Sequence, residues 1–513
     1  MSQFVCNRNS RIVETTGGKI QGYFYNDVFN FKGVPYRVAE RFHSPKPVTY
    51  TEEIFDATNY GAVCPVLSVP KPTTELKIPH RLWVENEDCL NLNIWTPALD
   101  GKKRPVLVWF HGGGLRDGSS IEQLAYEGYN AAKKGDIVVV SVNHRLNVLG
   151  YFDLSAFGRE YENSGNNGTA DTLAALKWVN ENIEKFGGDR GNITIMGQSG
   201  GGVKTTALLQ CPQADGLYHK AIVDSGILPS RGLGAQDEKQ EALLFAQKIV
   251  EKAGGIESLK AMDNYHLQNL IETVAEGGFV NWGPVPCTGS YSGEWLNTPF
   301  REESLHIPLI VGSVYQELVP RPASICDKNA LSEEERFHAL EEAYGKEPAP
   351  AIRNAFRIAY PELNLYYASL IDSMVRIPTV QFCKERVAAG GKDTYNFLFA
   401  FETRYKGGLL STHADELVFA FHNAEYSGAM FAGSDTLKMQ DMFFNSLMAF
   451  AHTGNPNNAF ITPWKKVMPD ETNCFVFSAA PGNRIAHDEE LMKLIAAYSK
   501  HATPRWVKKE NFV

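Results

Sequence analysis

Three observations predict an α/β fold with a mostly parallel central sheet. Short apolar runs recur along the chain: PVLVWF (105 to 110), DIVVVSVNHR (136 to 145), ITIMG (193 to 197), KAIVDSG (220 to 226), PLIVGSV (308 to 314) and DTYNFLFAF (393 to 401). Most are continuous rather than alternating, the pattern of strands buried on both faces. Helical patterns separate them, as crossover connections between parallel strands require.

The first such helix spans 169 to 189. TADTLAALKWVNENIEKFGGD brings Leu173, Leu176, Ile183 and Phe186 to one face, with Thr169 as the expected N-cap and Gly187-Gly188 as the stop. After Ser225 the strand signal lapses. EKQEALLFAQKIVEKAGG (238 to 255) and LSEEERFHALEEAYG (331 to 345) read as helices, the second opened by a capping box of Ser332 and Glu335. Helical insertions at about 232–280 and 327–390 are candidates for a cap over an active site. No repeat, low-complexity tract or linker divides the chain, so one domain over 1–513 is expected.

Composition excludes several function classes. The 513 residues are 43% hydrophobic and carry a net charge of −9, and the 50 Lys and Arg residues are scattered. Neither nucleic acid nor an anionic membrane is an expected partner. MSQFVCNRNSRIVETT has no apolar core of a signal peptide and no run approaches 18 apolar residues, so the expected location is cytoplasmic, or secreted if a leader has been removed. The eight cysteines, at 6, 64, 89, 211, 287, 326, 383 and 474, form no CxxC pair, and no metal or organic cofactor is expected.

ITIMGQSGGGVKTT (193 to 206) admits two chemistries. Gly197 to Thr205 imitates a phosphate-binding GxxxxGK[ST] loop, but Val203 is one residue too many. The insertion turns Lys204 by roughly 100° on a helix, away from the loop. Ile222-Val223-Asp224 is only a weak imitation of a magnesium-binding strand end. The alternative takes Gly197-Gln198-Ser199-Gly200-Gly201 as G-x-S-x-G, a strand-to-helix elbow in which Ser199 adopts a strained backbone and stands clear of the sheet. A serine hydroxyl is a poor nucleophile, so this elbow demands oxyanion donors, a base and an orienting acid. His111-Gly112-Gly113-Gly114, directly after the strand 105 to 110, is a loop of the type that supplies the donors.

These residues, together with FKGVPY (31 to 36), EDCLNLNIWTP (87 to 97), NHRLNVLGYF (143 to 152), AIVDSG (221 to 226) and HADELVFAF (413 to 421), resemble the type-B carboxylesterase and cholinesterase family of α/β-hydrolases from about residue 11 to 477. The resemblance implies a serine esterase acting on small to medium esters through an acyl-enzyme, with only ester and water as partners. It assigns Ser199 as nucleophile, Glu317 as acid and His413 as base, with Gly113, Gly114 and Gly200 as oxyanion donors. Glu317 fits as the Glu five residues after Gly312, and His413 as the start of H-x-x-E-L. Arg41 and Glu87 match a family salt bridge, Ser225 a buried serine behind the nucleophile, and Cys64 and Cys89 a family disulfide, expected open in a reducing compartment. Leu115, Arg116 and His144 match positions near the substrate.

This chain departs from the family at four places. Gln198 stands where a Glu is usual and Gly200 where an Ala is usual, which predicts a less negative and slightly roomier pocket floor. Leu115-Arg116 replaces an aromatic, and a cation at 116 together with the missing carboxylate predicts neutral or anionic esters rather than choline esters. The alternative for Arg116 is an ion pair with Asp117 or exposure to solvent. The shortened FKGVPYRVAERFHSPKP segment reshapes the rim. A non-catalytic binding or adhesion protein on the same fold is the other function class, opposed by the intact Ser199, Glu317 and His413; a nucleotide binder comes third.

Overall fold

A computed structural model describes residues 11–66, 78–228, 235–276, 280, 282–287, 290–318, 327–431 and 433–498. Its centre is an eleven-stranded sheet. In chain order the strands are β1 (Tyr23–Tyr25), β2 (Val28–Pro35), β3 (Asn91–Thr96), β4 (Arg104–Phe110), β5 (Val138–Val142), β6 (Gly188–Gln198), β7 (Lys220–Asp224), β8 (Leu309–Val314), β9 (Thr394–Phe399), β10 (Asn473–Phe477) and β11 (Gly482–Ile485). Across the sheet they run β11-β10-β9-β8-β7-β6-β4-β5-β3-β2-β1. From β5 through β4, β6, β7, β8 and β9 to β10 every pairing is parallel, and antiparallel pairs close both edges.

All six apolar runs found in the sequence become parallel strands of this sheet. Most of their residues are buried, which is why they show no alternation. The edge strands β1 and β11 carry less apolar sequence, and they lie outside those runs, as do β2, β3 and β10. Helices pack on both faces. One layer rests on Leu173, Leu176, Val179, Ile183 and Phe186, and the other on Phe443, Phe444, Leu447 and Phe450.

The crossover helix is Asn167–Asn182, extended by a 3-10 turn to Phe186 and stopped at Gly187 with φ 77°. Its start corrects the expected cap. The 3-10 turn Ser164–Asn166 runs straight into the helix, so Asn166 holds the N-cap position and Thr169 lies buried inside. Asn166 spends its side chain elsewhere, bonding both backbone groups of Val285. The insertion ranges contain the helices Ala235–Ala253, Ile256–Ala261 and Asn264–Ala275, then Glu333–Tyr344, Ala349–Ala359 and Arg376–Ala388. Ser332 and Glu335 form the reciprocal capping box.

Candidate active site

In an open parallel sheet the carboxyl ends of the strands form the rim on which sites are built. Here the loops after β4, β6, β8 and β9 meet on that rim.

After β6 the chain turns sharply into the helix Gly200–Leu209, with Ser199 at φ 56° and ψ −126° between them. This is a strained conformation for a residue with a side chain, held by Ser199 N–H donating to the Asp224 carbonyl at 2.9 Å. The glycines that flank it are required by contact. A Cβ on Gly197 would stand 2.1 Å from the Gly201 carbonyl oxygen, and one on Gly201 2.0 Å from that of Phe110.

Glu317 follows β8 and His413 follows β9 by way of the short hairpin Glu402–Thr403 and Leu409–Leu410. A bridge between Gln316 and Thr412 draws the two loops together. Asp415 shapes the second loop, accepting from both the backbone N–H and the hydroxyl of Thr412 at 2.7 Å. The outcome is a continuous array: Glu317 Oε2 lies 2.5 Å from His413 Nδ1, and His413 Nε2 lies 2.8 Å from Ser199 Oγ. Glu317 is fixed in turn by the Val314 N–H, which donates to Oε1 at 2.8 Å. A serine, an imidazole and a buried carboxylate in this order can transfer a proton away from the hydroxyl as it attacks.

The loop after β4 turns through Gly113 and Gly114, with φ 86° and 66°, values natural only to glycine. Among the described residues, the N–H groups of Gly113, Gly114 and Gly200 donate no hydrogen bond, which leaves them open toward a ligand. Gly200 corrects the expected roomier floor. The space a methyl would fill is already taken, because a Cβ there would lie 1.9 Å from the Gly114 carbonyl oxygen. The Gly114 backbone fills that space, so the missing methyl gains no volume.

The remaining candidates separate. Gln198 is buried, with its amide nitrogen 3.4 Å from His413 Nε2. Ser225 is buried at φ 46°, its hydroxyl 3.4 Å from Asp224 Oδ1. Arg116 pairs with Asp117 at 2.7 Å and its side chain is 44% exposed, the surface alternative rather than a cation in the pocket. Leu115 is a core residue. His144 is buried with its ring stacked on that of His111, centroids 5.1 Å apart. Arg41 and Glu87 form the expected ion pair. Cys64 and Cys89 are free and buried, while Cys6 and Cys326 lie outside the described residues.

Two features escaped the motifs. Beneath the array lies a group of buried acids. Burial, with repulsion from Glu317, pushes the carboxyls of Asp224 and Glu416 up, and among the described residues both Glu416 carboxyl oxygens lack a hydrogen-bond partner. The second is Lys204, buried and bonded to the His111 carbonyl at 2.8 Å. HADEL contained Glu416 and GGGVKTT contained Lys204, but spacing alone did not say that either side chain points inward.

Similarity to known proteins fits this geometry. The model of the carboxylesterase family matches residues 9–493. A para-nitrobenzyl esterase of Bacillus subtilis is 30% identical over 87% of this chain and 91% of its own length. A solved esterase from Clostridium hathewayi, described as hydrolysing aliphatic aromatic polyesters, is 37% identical, covers 96% of this chain and 99% of its own, and superposes with a TM-score of 0.90. A carboxylesterase of Geobacillus stearothermophilus is 31% identical, with a TM-score of 0.69 over 94% of this chain and 99% of its own. The chain belongs to the carboxylesterase family of α/β-hydrolases and is a carboxylic-ester hydrolase.

Proposed function

We propose that Ser199 is the nucleophile of this hydrolase, His413 its general base and Glu317 the acid that orients and stabilises the imidazolium. The observation that carries this is the unbroken chain of contacts from Glu317 Oε2 through His413 to Ser199 Oγ at 2.5 and 2.8 Å. As Ser199 Oγ bonds to the ester carbonyl carbon, its proton passes to His413 Nε2, and the carbonyl oxygen becomes an oxyanion received by the N–H groups of Gly113, Gly114 and Gly200. The imidazolium then gives that proton to the departing alkoxide, leaving an acyl-serine. Water repeats the cycle: His413 takes its proton, hydroxide adds to the acyl carbon, and Ser199 leaves with the proton returned.

The substrates proposed are uncharged esters of small to medium size, including esters of aromatic acids. Gln198 supports the first part, since the side chain that stands beside Ser199 at His413 Nε2 is a neutral amide and offers no counter-charge to a quaternary ammonium alcohol. Arg116, engaged by Asp117, supplies no argument for anionic esters. The similarity to the Clostridium hathewayi enzyme supports the aromatic part.

A burst of p-nitrophenol from a p-nitrophenyl ester, equal to the enzyme concentration, tests the acyl-enzyme. Ser199→Ala should abolish the burst. Retention of turnover in that variant sinks the assignment, and a choline ester cleaved as well as its uncharged isostere sinks the substrate class.

A further inference from the structure

The proposed hydrolysis makes no use of Lys204, although this lysine sits one and a half helical turns after Ser199 and is only 3% exposed. Lysine is almost never buried without a strong reason, and an aliphatic side chain would fill the same space without desolvating an amine. Its environment shows what it holds. Nζ donates to the carbonyl oxygen of His111 at 2.8 Å, the residue between the end of β4 and the glycine loop. The ring of His111 makes a second contact of the same kind: its Nδ1–H donates to the Gly112 carbonyl at 2.8 Å. The Gly112 carbonyl shares a peptide group with the Gly113 N–H. Both peptides that lead into the oxyanion loop are therefore held from behind, one by an amine and one by an imidazole.

The held loop lies directly on the nucleophile. A Cβ on Gly112 would come within 3.4 Å of Ser199 Cβ, and one on Gly201 within 2.9 Å of the His111 carbonyl oxygen. The titratable groups that face Lys204 are Glu122, Cys64 and the stacked rings of His111 and His144. Burial first, and then Lys204 itself, keep both rings well below the usual histidine range and hence neutral. His144 Nε2 is buried with no hydrogen-bond partner among the described residues, which again fits an uncharged ring. In this cluster a proton resides on the amine in preference to either imidazole.

We propose that Lys204 is a positioning residue of the oxyanion hole: it fixes the His111 carbonyl, and with it the Gly112–Gly114 turn, and places a buried positive charge behind the donors that meet the oxyanion. The inference rests on the hydrolytic reading above. A fixed charge in a dry site stabilises the anionic transition state more than the neutral ester, so its contribution enters kcat rather than KM. Burial brings the Lys204 ammonium down to about 7. Sign follows directly: the charge is present below that value and is lost as pH rises through it, so the wild-type enzyme should show a falling alkaline limb in kcat.

The test compares wild type, Lys204→Met and Lys204→Gln on one p-nitrophenyl ester from pH 6 to 9. Lys204→Met should lower kcat about 10-fold at pH 6.5 with KM within about 2-fold, the signature of an interaction made in the transition state. It should also abolish the alkaline limb and weaken a trifluoromethyl ketone, a transition-state analogue, in parallel with kcat/KM. Its melting temperature at pH 6.5 should not fall, because a desolvated cation has been replaced by a thioether. Lys204→Gln, a donor without charge, should fold like wild type and lose the limb as well. A melting temperature lowered in both variants, with kcat and the limb intact, reduces Lys204 to packing and overturns the proposal. Should neither variant fold, a wild-type kcat that stays level from pH 7 to 9 overturns it by itself. The p-nitrophenol burst, measured first, separates the two claims: its absence in wild type refutes the acyl-enzyme, whereas its presence with an unaffected limb in both variants refutes only the role of Lys204.

Discussion

The amide nitrogen of Gln198 lies 3.4 Å from Nε2 of His413, the same ring nitrogen that faces Ser199. Where the family resemblance implies a carboxylate, this imidazole meets a neutral dipole. A carboxylate there would stabilise the imidazolium, so Gln198→Glu should move the acidic limb of kcat/KM upward by about 1 pH unit. The same change should improve a choline ester relative to its uncharged isostere by about 10-fold, since one added counter-charge is worth ~1 to 4 kcal/mol between water and a partly buried site. pH profiles on the matched pair of esters check both effects, and an unmoved limb would show that the side chain at 198 has turned away from His413.

Gly200 makes a prediction opposite to the one its family resemblance suggests. The resemblance implies an alanine at this position, yet here its methyl would coincide with the Gly114 carbonyl. Gly200→Ala must push the oxyanion loop outward. We expect kcat to drop by ~10²-fold, the worth of one displaced donor, with a smaller change in KM. Steady-state kinetics suffice, and an activity equal to wild type would show that the loop relaxes without losing a donor.

The pair Arg376 and Asp488 is buried on both sides, with Nε to Oδ2 at 2.9 Å and Nη2 to Oδ1 at 3.1 Å, and Tyr360 donates to the same carboxylate at 2.9 Å. Burial pushes the Asp488 carboxyl up, but Arg376, His487 and these hydrogen bonds outweigh it and hold the group well below the usual carboxylate range. A depressed folded value contributes stability that is present above ~4, the unfolded value, and is lost as pH falls toward the folded one. Asp488→Asn should leave Arg376 uncompensated and cost ~3 to 5 kcal/mol at pH 7. Urea unfolding at pH 7 and pH 3.5 would show the penalty shrinking at the lower pH.

Asp224 and Glu416 behave in the reverse sense. Burial raises both carboxyls, and the charge of Glu317 adds to the shift of each. A raised folded value gives stability that is present below ~4 and is lost as pH climbs through the folded value. Asp224→Asn removes one of these two titrating groups at nearly constant volume. Its melting temperature relative to wild type should therefore be higher at pH 8 than at pH 5, and a pH-independent difference would mean that the Asp224 carboxyl is not raised by its burial.

Much of this architecture is written locally. Buried parallel strands must be continuous apolar runs, so PVLVWF and its counterparts announced the sheet. The G-x-S-x-G elbow is equally local, since Gly197 and Gly201 have backbone where a side chain would go. The family resemblance, through its motif spacing and chain order, singled out Glu317 and His413 from many acids and histidines, and the two lie in line with Ser199. The edge strands carried too little apolar pattern to be read, and Thr169 offered a cap that the preceding 3-10 turn made unnecessary.

What tertiary structure decided was which way side chains face and what fills the space between loops. Arg116 could have entered the pocket, but Asp117 holds it at the surface. Gly200 promised room that the Gly114 carbonyl occupies. Lys204, set off from the phosphate spacing by a single residue, turns under the sheet rim to the His111 carbonyl, 93 positions away in sequence. Such outcomes depend on contacts between distant segments and on the cost of burying a charge, and neither is encoded in the local pattern of the chain.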